Sequence, residues 1–243
     1  MLLRELSQEI SDAAILDQVS QWVQARLTGM PLAYVLGKAV FRGHVYWVKP
    51  GVLIPRHETE LLVDYAIGVD PEVVLECGVG SGVIGIELGL ACSGAQILGW
   101  DISELAIEVA RENAARHGVT MTLTLGNFFE DDAILQSILS SGKRILVVSN
   151  PPYVSEAEYA ELDPSVCDFE PRSALVGGVA GLDYYDRLLR LVRPYSTVSL
   201  AVEIGYTQQP ALTQFLEELG YSSYQFFTDY AGLPRVLVVR SET

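Results

Sequence analysis

"VVLECGVGSGVIGIEL", residues 73–88, passes from an apolar stretch through three glycines into a second apolar stretch. Val73, Val74 and Leu75 read as a short strand buried on both faces. Gly78, Gly80 and Gly82 let the backbone turn tightly and approach a ligand with no Cβ in the way. A helix starting near residue 82 then offers its free N–H groups to a polar or negative group. Gly80, Gly82 and Gly85 also satisfy G-x-G-x-x-G, so the spacing alone admits a dinucleotide. A tight strand–helix turn without a ligand is the plain alternative. Glu76 and Cys77 read as supporting and core residues.

On both sides of this stretch the chain alternates regularly. Helix 58–68 precedes strand 73–76. Helix 82–92, strand 96–100, helix 103–117 closed by Gly118, strand 120–125, helix 131–140 and strand 145–149 follow. After a long loop come helix 181–193, strand 197–204, helix 208–219 closed by Gly220, and strands near 223–228 and 235–240. Strands alternating with helices predict an α/β fold: a doubly wound, mostly parallel, seven-stranded Rossmann-like sheet. Upstream, four-residue spacings of apolar residues predict helix over 2–27, in one piece or in two with Ser11 as a cap. "GKAVFRGHVYWVKPGVLIP" predicts a β-hairpin turning near Gly43. The expected organisation is a short helical segment over 1–30, a hairpin linker over 31–55 and the main domain over 56–243.

Ligands of such sheets bind beyond the carboxyl ends of the strands, at the switch point. Strand two ends in "ILGWDIS", which sets Asp101 about 20 residues after the loop, where a carboxylate can accept from both ribose hydroxyls. Its plain alternative is a cap for the helix starting near Ser103. Together, loop and acid favour an adenosine-containing ligand. Strand three ends in "TLGNFFE". Asn127 suits the edge of an adenine and Phe128 its face, with core packing of Phe128 as the alternative.

Strand four ends in "VVSNPPYVSE", residues 147–156. Pro151 and Pro152 cannot prolong the strand, because neither has an N–H for the ladder. Their fixed φ stiffens the turn, so the Asn150 side chain and the Pro151 carbonyl can be aimed together. Two oxygens accept; a planar –NH2 has two hydrogens to give. Tyr153 adds a π-face for a flat substrate. The residues describe a holder for a primary amide or an exocyclic amine. A plain turn explains the prolines but neither the asparagine before them nor the ring after.

Composition limits the partners. Against 31 acidic residues stand 16 basic ones, a net charge of −15, which disfavours stable nucleic-acid binding and favours a partner with a basic surface. Cys77, Cys92 and Cys167 have no metal-ligand spacing, and His44, His57 and His117 are scattered, so no metal is expected. The first residues lack the pattern of a signal peptide and no apolar run reaches membrane-span length, so a cytoplasmic setting is expected.

Glycine loop, Asp101 and "NPPY" in this order resemble a class I S-adenosylmethionine-dependent N-methyltransferase. Three further stretches narrow the likeness: "PLAYVLGKAVFRGHVYWVKPGVLIPRHETELLVD", "FEPRSALVGGVAGLDYYDRLL" and "AVEIGYTQ". From about Ser11 onward the chain resembles the HemK/PrmC family, the peptide chain release factor glutamine methyltransferases. The resemblance implies methyl transfer from S-adenosylmethionine to the glutamine side-chain nitrogen in the Gly-Gly-Gln motif of class 1 release factors. It implies that Gly78, Val79, Gly80, Ser81 and Gly82 lie along the methionine part of the cofactor, Asp101 on its ribose, and Asn127 and Phe128 beside its adenine. It further implies that Asn150, Pro151, Pro152 and Tyr153 hold the glutamine amide, and that "IPRHETE", with Arg56, Glu58 and Thr59, resembles a lid over the cofactor; surface charge is the plain reading of that segment.

The chain departs from the family pattern in having fewer than forty residues before the hairpin, His57 where proline is usual, and Asn127 where aspartate is common. Competing readings are an adenine-N6 methyltransferase of DNA or RNA, a non-catalytic translation-factor-binding relative, and a nicotinamide dehydrogenase resting on the glycine spacing alone.

Overall fold

The computed structural model describes residues 12–240. The predicted helix over 2–27 is present as α1 (Asp12–Leu27); its first ten residues, and the possible cap at Ser11, lie outside the described residues. Pro31 stands before α2 (Leu32–Leu36), one short turn that Gly37 ends in the left-handed conformation. The hairpin follows as β1 (Lys38–Phe41) and β2 (His44–Trp47). Its two turn residues, Arg42 and Gly43, have φ of 48° and 79°, the backbone twist that a two-residue hairpin needs.

The alternating region then runs α3 (Glu58–Ile67), β3 (Val73–Cys77), α4 (Val83–Ala91), β4 (Gln96–Asp101), α5 (Glu104–His117), β5 (Met121–Leu125), α6 (Asp132–Leu139) and β6 (Ile145–Ser149). Two one-turn helices, α7 (Glu156–Tyr159) and α8 (Pro164–Cys167), occupy the expected long loop. Their signals are in the sequence: a Ser155–Glu158 capping box for α7, and Asp163 followed by Pro164 for α8. α9 (Asp183–Val192), β7 (Val198–Glu203), α10 (Gln209–Glu218), β8 (Tyr224–Thr228) and β9 (Pro234–Val239) complete the fold.

Seven strands form one sheet in the order β5-β4-β3-β6-β7-β9-β8. The first five in that order are parallel, and β9 enters antiparallel between β7 and β8. Every residue of β3, β6 and β7 is buried, because helices cover both faces there. One face carries Leu75, Trp100, Val147 and Leu200 against α9 residues Tyr185, Leu188 and Leu189. The other carries Val74, Leu146 and Ala201 against Leu62 and Val63 of α3 and Ile84, Ile86 and Leu88 of α4. The α9 residues recur at three- and four-residue steps, so one helix face meets the sheet.

The hairpin belongs to this second core. Phe41 and Tyr46 are fully buried in it, each contributing about 1.5–3 kcal/mol by burial. Asn113 of α5 fastens the join: it accepts from the Trp47 N–H at 2.8 Å and donates to the carbonyls of Trp47 and Ser81 at 3.0 and 2.8 Å. A boundary drawn at residues 55/56 therefore crosses a continuous core. Strand order reverses between β3 and β6, and both the glycine loop and "NPPY" emerge there.

Candidate active site

The glycine loop leaves β3 with Gly78, Gly80 and Gly82 at φ of 78°, 55° and 85°, all in the region that favours glycine. A Cβ on Gly78 or Gly80 would meet open space, whereas one on Gly82 would press on Ala110 at 3.1 Å. The first two glycines thus keep a surface clear, and the third lets α4 pack against α5.

Asp101 ends β4 and is half-buried. Its Oδ2 accepts from the Gly80 N–H at 2.8 Å and its Oδ1 from the Ser103 N–H at 2.9 Å. The cap of α5 is Ser103 itself, accepting from the Ala106 N–H at 3.2 Å. With one bond to each oxygen, the carboxylate retains lone pairs for two further donors.

Asn127 follows β5 and accepts from the Phe129 N–H at 3.2 Å while donating to Glu130 at 2.7 Å. Phe128 is buried, with its ring edge-on to Trp100 at 5.3 Å. Phe129 carries the Arg187 guanidinium over its face at 3.9 Å.

At the end of β6, the Ser149 hydroxyl donates to the Cys77 carbonyl at 2.6 Å and ties this strand end to that of β3. Burial pushes the Cys77 thiol up to about 12, which makes it a core residue rather than a nucleophile. Asn150 donates from Nδ2 to the Thr59 hydroxyl at 3.1 Å, and Thr59 donates to Glu203 Oε2 at 2.6 Å. Tyr153 donates to the other oxygen of Glu203 at 3.2 Å. Glu203 ends β7 fully buried, and burial raises its carboxyl to about 7. Beneath the turn, Gln208 donates to the carbonyls of Tyr153 and Gly181, both at 2.9 Å. Gly177 and Gly181 lie so close to the Pro152 and Tyr153 carbonyls that a Cβ on either would overlap them.

These strand ends surround a cavity of about 250 Å³. Gly78, Gly80, Asp101, Asn127, Phe128, Asn150, Pro151 and Pro152 line it, so most of the residues singled out in the sequence come together. Val79, Ser81, Gly82 and Tyr153 are not among the lining residues. Val79 is buried facing Gly99, Ser81 uses its carbonyl to hold Asn113, and the Tyr153 hydroxyl is turned onto Glu203.

The segment read as a lid is arranged differently. Gly51, Val52 and Leu53, just upstream, line the cavity. Arg56 instead pairs with buried Glu170 at 2.5 Å, and Glu170 also accepts from the Ile54 N–H at 3.1 Å. Thr59 is buried beneath Asn150, while His57 and Glu58 are exposed.

Sequence reasoning did not single out Glu203, Gln208 or Glu170. The signal for Glu203 was available: an acid closing the otherwise uncharged strand "VSLAVE". Among the described residues no cluster of metal-ligating side chains occurs, and no helix is long and apolar enough to cross a membrane.

The model of the methyltransferase small domain matches residues 57–163. The release factor glutamine methyltransferase of Geobacter sulfurreducens is 37% identical over 219 residues, which are 88% of this chain and 75% of that one. The chain belongs to the release factor glutamine methyltransferase family. The Nitratidesulfovibrio vulgaris member is also 37% identical, over 91% of this chain and 76% of its own. In fold alone, this methyltransferase resembles the human methyltransferase 10 domain containing protein, with a TM-score of 0.54, 13% identity and coverage of 93% and 96% of the two chains.

Proposed function

We propose that this enzyme transfers the methyl group of S-adenosylmethionine to the side-chain nitrogen of glutamine in the Gly-Gly-Gln motif of class 1 peptide chain release factors. One observation carries the reading: Asn150 and Pro151 border the same cavity as Gly78, Gly80 and Asp101. An amide holder and a cofactor surface thus share one space.

The residues suit the cofactor. Gly78 and Gly80 leave room for a chain to lie along the loop, and Asp101 has lone pairs for ribose hydroxyls. Asn127 and Phe128 flank the adenine position. Val79, Ser81 and Gly82 act from behind, by fixing the loop's course. When bound, S-adenosylmethionine supplies a methyl group on a positively charged sulfur, which leaves as a neutral thioether.

An amide nitrogen is a weak nucleophile, since its lone pair is delocalised into the carbonyl. Asn150 Oδ1 and the Pro151 carbonyl, each accepting one N–H, raise electron density on that nitrogen and hold it in one pose. Pro152 stiffens the turn, and Tyr153, whose hydroxyl donates to Glu203, anchors it from behind. Asn150 remains uncharged and works by orientation. For each methyl it gains, the nitrogen loses one N–H proton to solvent water once the positively charged methylated amide has formed.

On this reading the partner is the Gly-Gly-Gln loop of a release factor, and residues 56–243 with the fused hairpin form the catalytic unit. The setting is the cytoplasm, where release factors act. The net charge of −15 opposes a nucleic-acid substrate. The test is incubation with purified release factors and S-adenosylmethionine, followed by mass spectrometry of the Gly-Gly-Gln peptide. One added methyl on the glutamine is expected. An unmodified peptide alongside methylated adenine in a nucleic-acid control would overturn the reading.

A further inference from the structure

Asn150 can serve as an acceptor only if its carboxamide oxygen, and not its –NH2, faces the substrate. The two ends of a carboxamide have nearly the same shape, so packing does not choose between them. Something polar must. Thr59 lies 3.1 Å from Asn150 Nδ2 and 2.6 Å from Glu203 Oε2, and it has one hydroxyl hydrogen. Given to the buried carboxylate, that hydrogen leaves only lone pairs toward Asn150. Only a donor can then face Thr59, so Nδ2 turns inward and Oδ1 turns outward.

We propose that Thr59 and Glu203 are positioning residues that set which end of the Asn150 carboxamide meets the substrate, and so select an amide over a carboxylate. The inference rests on the reading of Asn150 as the amide holder. Its logic is a chain of hydrogen-bond polarity. Ionised Glu203 is a pure acceptor, Thr59 must donate to it, and Asn150 must donate to Thr59. The substrate position is left with two acceptors, Oδ1 and the Pro151 carbonyl. A glutamine –NH2 satisfies both, whereas a glutamate carboxylate of the same shape satisfies neither and is repelled.

Glu203 is held in this role from several sides. Tyr153 donates to its second oxygen, and Tyr185 of α9 donates to its backbone carbonyl at 3.0 Å. From α3, Thr59 lowers its carboxyl pKa while Glu58 raises it; from β9, Arg235 lowers it. A proton on Glu203 Oε2, the oxygen that faces Thr59, would turn it into a donor toward Thr59. The Thr59 hydrogen would then be free to point at Asn150, and the carboxamide could reverse. Positioning should therefore fail on the acid side of neutrality.

The experiment compares wild type, Thr59→Val, Thr59→Ser and Glu203→Gln. It uses a Gly-Gly-Gln peptide as substrate, its Gly-Gly-Glu counterpart as inhibitor, and calorimetry with S-adenosylmethionine as a control for folding. Valine matches the shape of threonine and removes the polarity. Thr59→Val should lose roughly a hundredfold in kcat, with cofactor affinity within about threefold. It should also narrow the preference for the glutamine peptide over the glutamate peptide by roughly tenfold. Thr59→Ser should restore most of both. Wild-type kcat/KM should decline below pH about 7, and Glu203→Gln should abolish that limb.

Unchanged transfer by Thr59→Val, an unchanged peptide preference, or failure of serine to restore it would overturn the proposal. A readout that needs no transfer separates it from the functional reading. In nitrogen-15 spectra, one Asn150 Nδ2 proton should exchange slowly in wild type and both quickly in Thr59→Val. If wild type methylates no peptide, the proposed function falls, and the exchange rates still decide the polarity. Fast exchange of both protons in wild type would sink the positioning proposal by itself.

Discussion

The Gly80 N–H donates to Asp101 Oδ2 at 2.8 Å, and this bond joins the glycine loop and the end of β4 into one unit. A residue expected to touch a ribose thus also fixes the surface beside it. Asp101→Asn has only one oxygen to accept with, so either Gly80 or Ser103 must then face an –NH2. S-adenosylmethionine should bind about 10- to 100-fold more weakly, on the scale of one lost charge-assisted hydrogen bond. Calorimetry reads this directly, and an unchanged dissociation constant would refute the double role.

Asn150→Ala removes the side-chain acceptor while leaving the glycine loop and Asp101 untouched. Transfer should fall by at least about a hundredfold, with cofactor affinity within about threefold. Initial rates with a release factor, set beside calorimetry, check this. Equal losses in both would contradict the separation of amide holder from cofactor surface.

Gly181→Ala should damage the same turn from beneath. At φ of 70° an alanine is strained, and its Cβ would overlap the Tyr153 carbonyl oxygen. We expect a loss of about 2–3 kcal/mol in stability, together with a fall in kcat larger than the loss of cofactor binding. Urea titration and steady-state kinetics measure the two effects. A variant as stable and active as wild type would show that the loop moves aside freely.

Burial of Glu203 has a signed consequence for stability. Its carboxyl rises from an ordinary 4.5 to about 7 on folding, so the folded protein holds a proton that the unfolded chain releases. Stability from this group is full below pH 4.5 and is lost as pH rises to about 7, by roughly 3 kcal/mol in all. Glu203→Gln should remove that decline. Denaturant midpoints from pH 4.5 to 8 test it, and the same slope in the glutamine variant would assign the effect elsewhere. Buried Glu76, whose oxygens have no hydrogen-bond partner among the described residues, is pushed the same way by desolvation.

The sheet was legible because its strands announce themselves: segments of five or six residues rich in apolar, β-branched and aromatic side chains, set off by Gly118, Gly220 and the proline pair. The antiparallel insertion of β9 between β7 and β8 was not legible, since hydropathy sets which residues are buried and not which strands are neighbours. One-turn helices such as α2 are too short to show a period, so only Pro31 and Gly37 mark it. At the site, the glycines, Asp101 and Asn150 could be read because each stands at the end of a strand. Thr59 and Glu203 are brought together across 144 positions of sequence, and no local pattern announces such a pair. The roles expected of Val79 and Ser81 illustrate another limit. Loop membership is visible in sequence, but which side of the loop a side chain takes is decided by what packs behind it, here Gly99 and Asn113.

Asn113 lends the hairpin a meaning beyond decoration. Its one carboxamide grips Trp47 on the ribbon and Ser81 in the glycine loop, so the upstream ribbon braces the loop that borders the cavity. A fragment cut at residue 56 would leave that brace hanging and strip Phe41 and Tyr46 from the interior. Chimeras and minimal versions of this enzyme should therefore be spliced ahead of Lys38, with the ribbon travelling alongside its own α5.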